Sequence, residues 1–265
     1  MQSDYLEINE KLWNDKTRVH LKSDFYDVDG FKKGKTSLQP IELSLLGNIE
    51  DLSILHLQCH FGLDSMSLSR LGAKVTGVDL SEVAIDKANK LKNELKLDTR
   101  FIQSDVYALK DKLDQKFDIV FTSYGVLGWL PDMQKWANIV SHFLKPDGKL
   151  ILIEFHPVVW MFSYDFKSIE YAYSSNEPIV ETTKGTYTDQ NAPIENKSVS
   201  WNHGLAEVFK ALLENGLNIQ HFEEYDYSPY DCFQNTIRIA ENQYQIKGLE
   251  NKIPMLYSLV AKSQI

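Results

Sequence analysis

Cysteine is scarce in this 265-residue chain: Cys59 and Cys232 provide neither a disulfide framework nor a CxxC metal knuckle, as expected in a reducing compartment. Positive charge is also in short supply, with 28 Lys and Arg against 37 Asp and Glu for a formal net charge of -9. Nucleic-acid binding draws most of its affinity from clustered cations, so that balance argues against a partner held through phosphates and favours a small neutral or cationic substrate. No apolar run approaches the about 20 residues needed to cross a bilayer, and the opening MQSDYLEINEKLWNDKTRVH is too polar for a secretory h-region. The expectation is a cytoplasmic protein without membrane contact. There is no internal repeat, low-complexity tract or linker-like stretch, so residues 1–265 are expected to form one domain. No HExxH, zinc knuckle or clustered carboxylate pair points to a metal.

What is present is an alternation of short apolar runs with longer amphipathic segments. Strands are expected at Ser53–Gln58, Lys74–Asp79, Thr99–Gln103, Phe117–Thr122 and Lys149–Phe155, with helices between them at Asp64–Leu71, Ser81–Leu95, Val106–Leu113 and Pro131–Leu144. Ser81 is placed to cap its helix, with Ala84, Ile85, Ala88 and Leu91 on one face. KPDG, residues 145–148, reads as a turn before the fifth strand. This alternation implies a mostly parallel sheet covered on both faces. Residues 1–50 hold helices at Tyr5–Trp13 and Pro40–Leu46. Residues 156–200 are rich in Tyr, Ser, Thr, Asn and Pro with weak periodicity, too long for a bare connection and expected to form a lid or subdomain over the substrate. A helix at Gly204–Leu213 and strands at Leu217–Glu224 and Met255–Lys262 complete the chain.

In an open parallel sheet, ligands bind beyond the carboxyl ends of the strands. Four segments fall there: LHLQCHFG (55–62), GVDLS with Asp79, QSDVY with Asp105, and TSYGVLGWLPD with Ser123 and Tyr124. With KPDGKLIL, this order and spacing resembles the class I S-adenosylmethionine-dependent methyltransferases over about Leu52–Phe155, and the LHLQCHFG form looks like a subgroup with an LQCHFG-type first loop. The resemblance implies an α/β, Rossmann-like seven-stranded sheet of order 3-2-1-4-5-7-6 with its last strand antiparallel. It also implies S-adenosylmethionine as cofactor, the methionine part lying on the Gln58–Gly62 loop. Asp79 would then hold the ribose hydroxyls and Asp105 the adenine amine, between Leu80 and Val106. The departure lies in the first loop, where the family has an acid and three alternate glycines. Here His56, Gln58 and His60 replace the acid and two glycines, and Gly62 alone remains. Without those glycines the loop should move outward or adopt ordinary dihedrals, with Gln58 and His60 offering polar groups to the cofactor instead.

Each assignment has a plainer reading beside it. Asp79 and Asp105 could serve as caps for the helices that follow them. Gly62 would be structural, letting the loop pass the ligand. Cys59, expected within the cofactor loop, could be only a small buried hydrophobe. His60 is read as a cofactor contact rather than a base, and His56 as a residue bonding within the core. His156, after the fifth strand, either lines the pocket or is a solvated turn. Tyr124, Trp129, Trp160 and Trp201 could enclose a substrate or belong to the core, Trp129 and Trp160 being the substrate contacts chosen. Trp13 either folds over the cofactor or anchors the first helix.

The chemistry implied is in-line methyl transfer to a small-molecule acceptor, which asks the protein chiefly to align the nucleophile and exclude water. A hydroxyl or protonated amine acceptor would need a base, and His156, Tyr124 or His60 could supply it. The alternatives are a non-catalytic nucleoside-binding or regulatory protein on the same fold and, third, a nicotinamide-dependent oxidoreductase, whose pyrophosphate Gln58, Cys59, His60 and Phe61 would crowd. The acceptor and the oligomeric state stay open.

Overall fold

A computed structural model describes residues 4–264. At its centre is a seven-stranded sheet assembled from β1 (Ser53–Leu57), β2 (Lys74–Asp79), β3 (Thr99–Gln103), β4 (Phe117–Ser123), β5 (Leu144–Phe155), β8 (Leu217–Tyr225) and β11 (Leu256–Ser263). The order is β3-β2-β1-β4-β5-β11-β8. β1 to β5 run parallel, and β11 is antiparallel to both neighbours, β5 and β8. The expected 3-2-1-4-5-7-6 arrangement is therefore present.

Side chains alternate between the two faces of a strand, and the central strands are apolar on both. Leu55, Leu57, Val120, Leu150 and Leu152 pack with α6 (Met133–Phe143) and α7 (Leu205–Glu214). Ile54, Phe121, Ile151 and Ile153 turn the other way, toward α3 (Pro40–Leu46) and Leu68 of α4 (Leu63–Arg70). α5 (Glu82–Leu95) begins where Ser81 accepts from the Ala84 N–H at 3.0 Å, and buries Ala84, Ile85, Ala88 and Leu91. Burial on both faces leaves only strand ends for a ligand.

Several elements differ from the sequence reading. The span Val106–Leu113 is a set of turns around a 3-10 segment, Leu109–Asp111, rather than a helix. Its apolar residues still enter the core, but the Tyr107 hydroxyl is pinned to both the N–H and the carbonyl of Asp132, and Lys112 donates to the Gln103 carbonyl at 2.8 Å. Those tertiary anchors outweigh helix propensity. KPDG forms a bulge within β5 rather than a turn before it: the partner of Phe117 is Leu144 and that of Ile119 is Lys149. α6 begins at Met133 rather than Pro131, capped by Asp132, whose side chain accepts from the Lys135 N–H.

The first helix, α1, runs Asp4–His20, well past Trp13, and a short α2 (Val28–Lys32) follows it. Residues 156–200 hold a hairpin of β6 (Ile179–Lys184) and β7 (Glu195–Ser200). α1 is fastened to β7 by Asn9, whose side-chain amide donates to the Val199 carbonyl at 2.8 Å and accepts from its N–H at 3.0 Å. A second hairpin, β9 (Thr236–Ala240) and β10 (Gln243–Ile246), lies between β8 and β11, where no strand is expected from the sequence.

Candidate functional site

The tips of β1 to β4 open into one cavity of about 970 Å³, roofed by α1 and by the segment containing β6 and β7. That size is at the upper end for small-molecule sites. The loop after β1 forms its floor. Gln58, His60 and Gly62 take left-handed dihedrals, with φ of 55°, 51° and 80°. The loop thus keeps at alternate positions the backbone that glycine would adopt freely, correcting the expectation of ordinary dihedrals or an outward shift. Each non-glycine residue in that region is strained by about 1 kcal/mol or more, and local bonds offset it. The Cys59 N–H donates to the Val78 carbonyl at 2.9 Å, the His60 N–H to Asp79 Oδ2 at 2.7 Å, and Gln58 Nε2 to the Val126 carbonyl at 2.9 Å. At Gly62 a Cβ would sit 2.4 Å from Phe101 Cζ, so no side chain fits.

Asp79 therefore has a structural task as well as a place in the cavity. Its Oδ1 accepts from the Ser81 N–H at 2.9 Å. Each carboxylate oxygen can accept two hydrogen bonds, so the carboxylate keeps capacity for a ligand hydroxyl beside the backbone donors of His60, Leu80 and Ser81. Burial pushes its pKa up to about 6, against the pull of the backbone donors. Leu80, Asp105 and Val106 line the same cavity. The Asp105 carboxylate also accepts from the N–H groups that follow it, so capping and facing the cavity coexist there.

Cys59, Ser123, Trp13, Trp129 and Trp160 line the cavity as well. Burial raises the Cys59 thiol well above its usual pKa, which fits a small packing group. Ser123 Oγ donates to Asp64 Oδ2 at 3.3 Å. Trp13 meets Trp129 and the His60 ring edge-on, both at 5.4 Å between centroids. Trp201 stands behind the cavity, edge-on to Tyr5 at 5.3 Å, and does not line it.

The three candidates for a base, His156, Tyr124 and His60, are corrected. His156 does not line the cavity: its Nε2 is 2.8 Å from Glu224 Oε1 on β8, its Nδ1 accepts from the Val158 N–H, and the ring is buried. The turn begun at Pro157 swings it toward the antiparallel edge of the sheet. Tyr124 does line the cavity, but its hydroxyl donates to Glu42 Oε2 at 2.9 Å, and burial, then the Glu42 charge, hold its pKa well above the ordinary value. It is a donor, not a base. His60 is equally unsuited, because burial and then Lys16 push it down to about 3.

Other residues were missed. Lys16 and His20 follow Trp13 at helical spacing on α1, and extending that helix past Trp13 would have placed all three on one face. His20 Nδ1 lies 3.0 Å from His60 Nε2. Tyr26 and Tyr187 share a hydrogen bond of 2.5 Å across the roof. Asp64 lines the cavity from the first turn of α4, with a pKa raised by burial against the pull of Ser37 and Ser123. Glu154 is buried in β5 and accepts from the N–H groups of Gly125, Val126, Leu127 and Phe155, pinning the loop after β4. A lone acid in the apolar run LILIEF was the visible signal for it.

The sheet order, with cavity-lining acids after β2 and β3, is the Rossmann-like fold shared with S-adenosylmethionine-dependent methyltransferases. Residues 54–148 match the family model described as a methyltransferase domain. The solved S-adenosylmethionine-dependent methyltransferase from Mesorhizobium loti shares the fold at a TM-score of 0.57 and 20% identity, over 87% of this chain and 99% of that one. That from Clostridium acetobutylicum does so at 0.58 and 16%, over 92% and 94%. In sequence, the chain is 30% identical over 133 residues to a ubiquinone biosynthesis O-methyltransferase of Alkalilimnicola ehrlichii, covering 49% of this chain and 53% of that protein. It is 29% identical over 157 residues to the protein of the same name from Coxiella burnetii, covering 58% and 66%. The chain thus spans about half to two thirds of the curated relatives it matches.

Proposed function

We propose that the protein is an enzyme that transfers a methyl group from S-adenosylmethionine to a small-molecule acceptor. The observation that carries this reading is the convergence of Asp79, Asp105 and a loop with three alternate left-handed residues on one cavity. The residues suit that cosubstrate: Gln58 Oε1 and His60 Nδ1 are buried on the loop without hydrogen-bond partners, where the polar aminoacyl end would lie. When bound, S-adenosylmethionine supplies a methyl on a sulfonium: the acceptor's lone pair forms the new bond to carbon, the C–S pair stays on sulfur, and S-adenosylhomocysteine leaves.

In this reading Asp79 accepts from the ribose hydroxyls, Leu80 and Val106 flank the adenine, and Asp105 accepts from its amine. Gln58, His60, Ser123 and Trp13 surround the aminoacyl end, with Cys59 and Gly62 shaping the floor. Trp129 and Trp160 contact the acceptor. A hydroxyl acceptor gives up its proton as the bond forms, and Asp64, rather than His156 or Tyr124, is the group we assign to take it. The segments 1–50 and 156–200 act as covers of a single domain and exclude water. The relatives named for ubiquinone biosynthesis O-methylation favour an O-methylation, and in this reading the side chains of the glycine-poor loop replace part of the backbone cradle. Thermal melting with added ligand tests the cofactor class. S-adenosylhomocysteine should raise Tm by mass action, NADH and NADPH should not, and the reverse pattern would favour the oxidoreductase.

A further inference from the structure

We infer that Lys16 forms an anion subsite in this cavity and that the methyl acceptor is an aromatic small molecule carrying a carboxylate or similar anion. This rests on the methyltransferase reading for the word acceptor, and on the geometry of Lys16 for the rest. The ammonium lies 5.0 Å from the Trp13 ring centroid, 5.6 Å from that of Trp129 and 5.9 Å from that of Tyr187. Those rings come from three separate places: α1, the 3-10 turn after β4, and the β6–β7 segment that roofs the cavity. Lys16 and all three rings line the cavity.

Ring faces attract a cation, but they leave its three N–H donors unused. Among the described residues, no carboxylate or hydrogen-bond acceptor is paired with the Lys16 ammonium, although the chain has 37 acidic residues and pairs many other lysines with them. A partly buried cation without a counter-ion is costly, and a ligand anion entering the cavity would relieve that cost. The other wall is aromatic, with Phe155, Trp160, Phe166 and Phe233 lining the cavity and meeting one another edge-on or tilted. A planar ring with one anionic substituent suits both features. The overall charge of -9 suggested a neutral or cationic substrate, but the local cation governs inside an enclosed site.

Burial alone pulls the Lys16 pKa down to about 8, so it is largely charged at neutral pH and loses its charge as pH rises through that value. The titratable groups facing it are His20 on the same helix, His60 from the β1 loop and Tyr187 at the roof, with Tyr26 hydrogen-bonded to Tyr187 behind it. The two histidines are pushed down to about 2 and about 3 and the two tyrosines upward, so none of them changes charge near pH 8.

The test is calorimetric binding of benzoate against benzamide, its neutral isostere, with S-adenosylhomocysteine and methylthioadenosine titrated in parallel. The wild type should prefer benzoate by at least about tenfold, and the preference should fade as pH rises through about 8. Lys16→Met should abolish it while keeping affinity for S-adenosylhomocysteine, and Lys16→Arg should retain it. The wild-type preference and its pH profile stand as tests even if Lys16→Met fails to fold. Absence of a preference in the wild type overturns the inference. So does a Lys16→Met protein that loses affinity for S-adenosylhomocysteine but not for methylthioadenosine, because the ammonium would then serve the cosubstrate's own carboxylate. A benzoate preference without any binding of S-adenosylhomocysteine would sink the methyltransferase reading and leave the anion subsite in place.

Discussion

At the scale of single residues, the loop after β1 holds glycine-like dihedrals on residues that are not glycine. Gln58 and His60 were visible in the sequence as departures from glycine; that they would adopt glycine's dihedrals was not. Residue type disfavours positive φ, and only the hydrogen bonds to Asp79 and Val126, made by residues distant in sequence, reveal what holds the loop there. Gly62 has no such latitude. Gly62→Ala would combine a φ of 80° with a contact at 2.4 Å to Phe101, and should lower stability by about 2 kcal/mol. Chemical denaturation measures it, and an unchanged midpoint would contradict the crowding described here. Asp64 is the other residue to test. With an acceptor that the wild type methylates, Asp64→Asn should reduce kcat by about a hundredfold with little change in KM; an unchanged kcat would remove it as the base. Its position two residues after Gly62 was readable, but its direction was not, because the partners that orient it, Ser37 and Ser123, come from elsewhere in the chain.

At the scale of elements, the strands of the sheet were legible because each carries a compact apolar run bounded by polar turns. The start of α5 was legible because Ser81 precedes a regular apolar face. Elements whose form depends on tertiary anchors were not: the turns from Val106 to Leu113 keep helical spacing of buried residues without being a helix. α1 extends past the expected Trp13 because polar residues after it turn inward: Lys16 lines the cavity, and His20 is buried against His60 and Tyr187. Besides the Asn9 contact with β7, one side chain seats α1 on the α5 terminus. Asn14 Oδ1 accepts from Ser81 Oγ at 2.7 Å and from the Val83 N–H at 3.1 Å. Asn14→Ala should cost about 1 kcal/mol and speed amide exchange through Asp4–His20, while the sheet amides keep their protection. Exchange in α1 equal to that of the wild type would show that Asn9 and the ring contacts hold the helix by themselves.

At the scale of the whole molecule, the topology and the sheet edge used for binding followed from the order of the motifs, since a parallel sheet buried on both faces leaves few other places for a ligand. His156 shows the limit of that inference, because being at the right edge in sequence does not fix which way a side chain turns. The central claim is that Asp79, at this edge, receives a nucleoside. The carboxylate must be ionised to accept from both ribose hydroxyls, and its raised pKa places the change near pH 6, so affinity should hold above that pH and decline below it. Asn cannot replace it, because its NH₂ group donates where Asp79 accepts. The most direct measurement is calorimetric titration of S-adenosylhomocysteine into the wild type and Asp79→Asn from about pH 8 to about pH 5. The expected result is saturable binding, weakened at least about tenfold by the substitution and falling in the wild type as pH drops through about 6. Equal affinity in the two proteins across that range, or no binding to either, would contradict it.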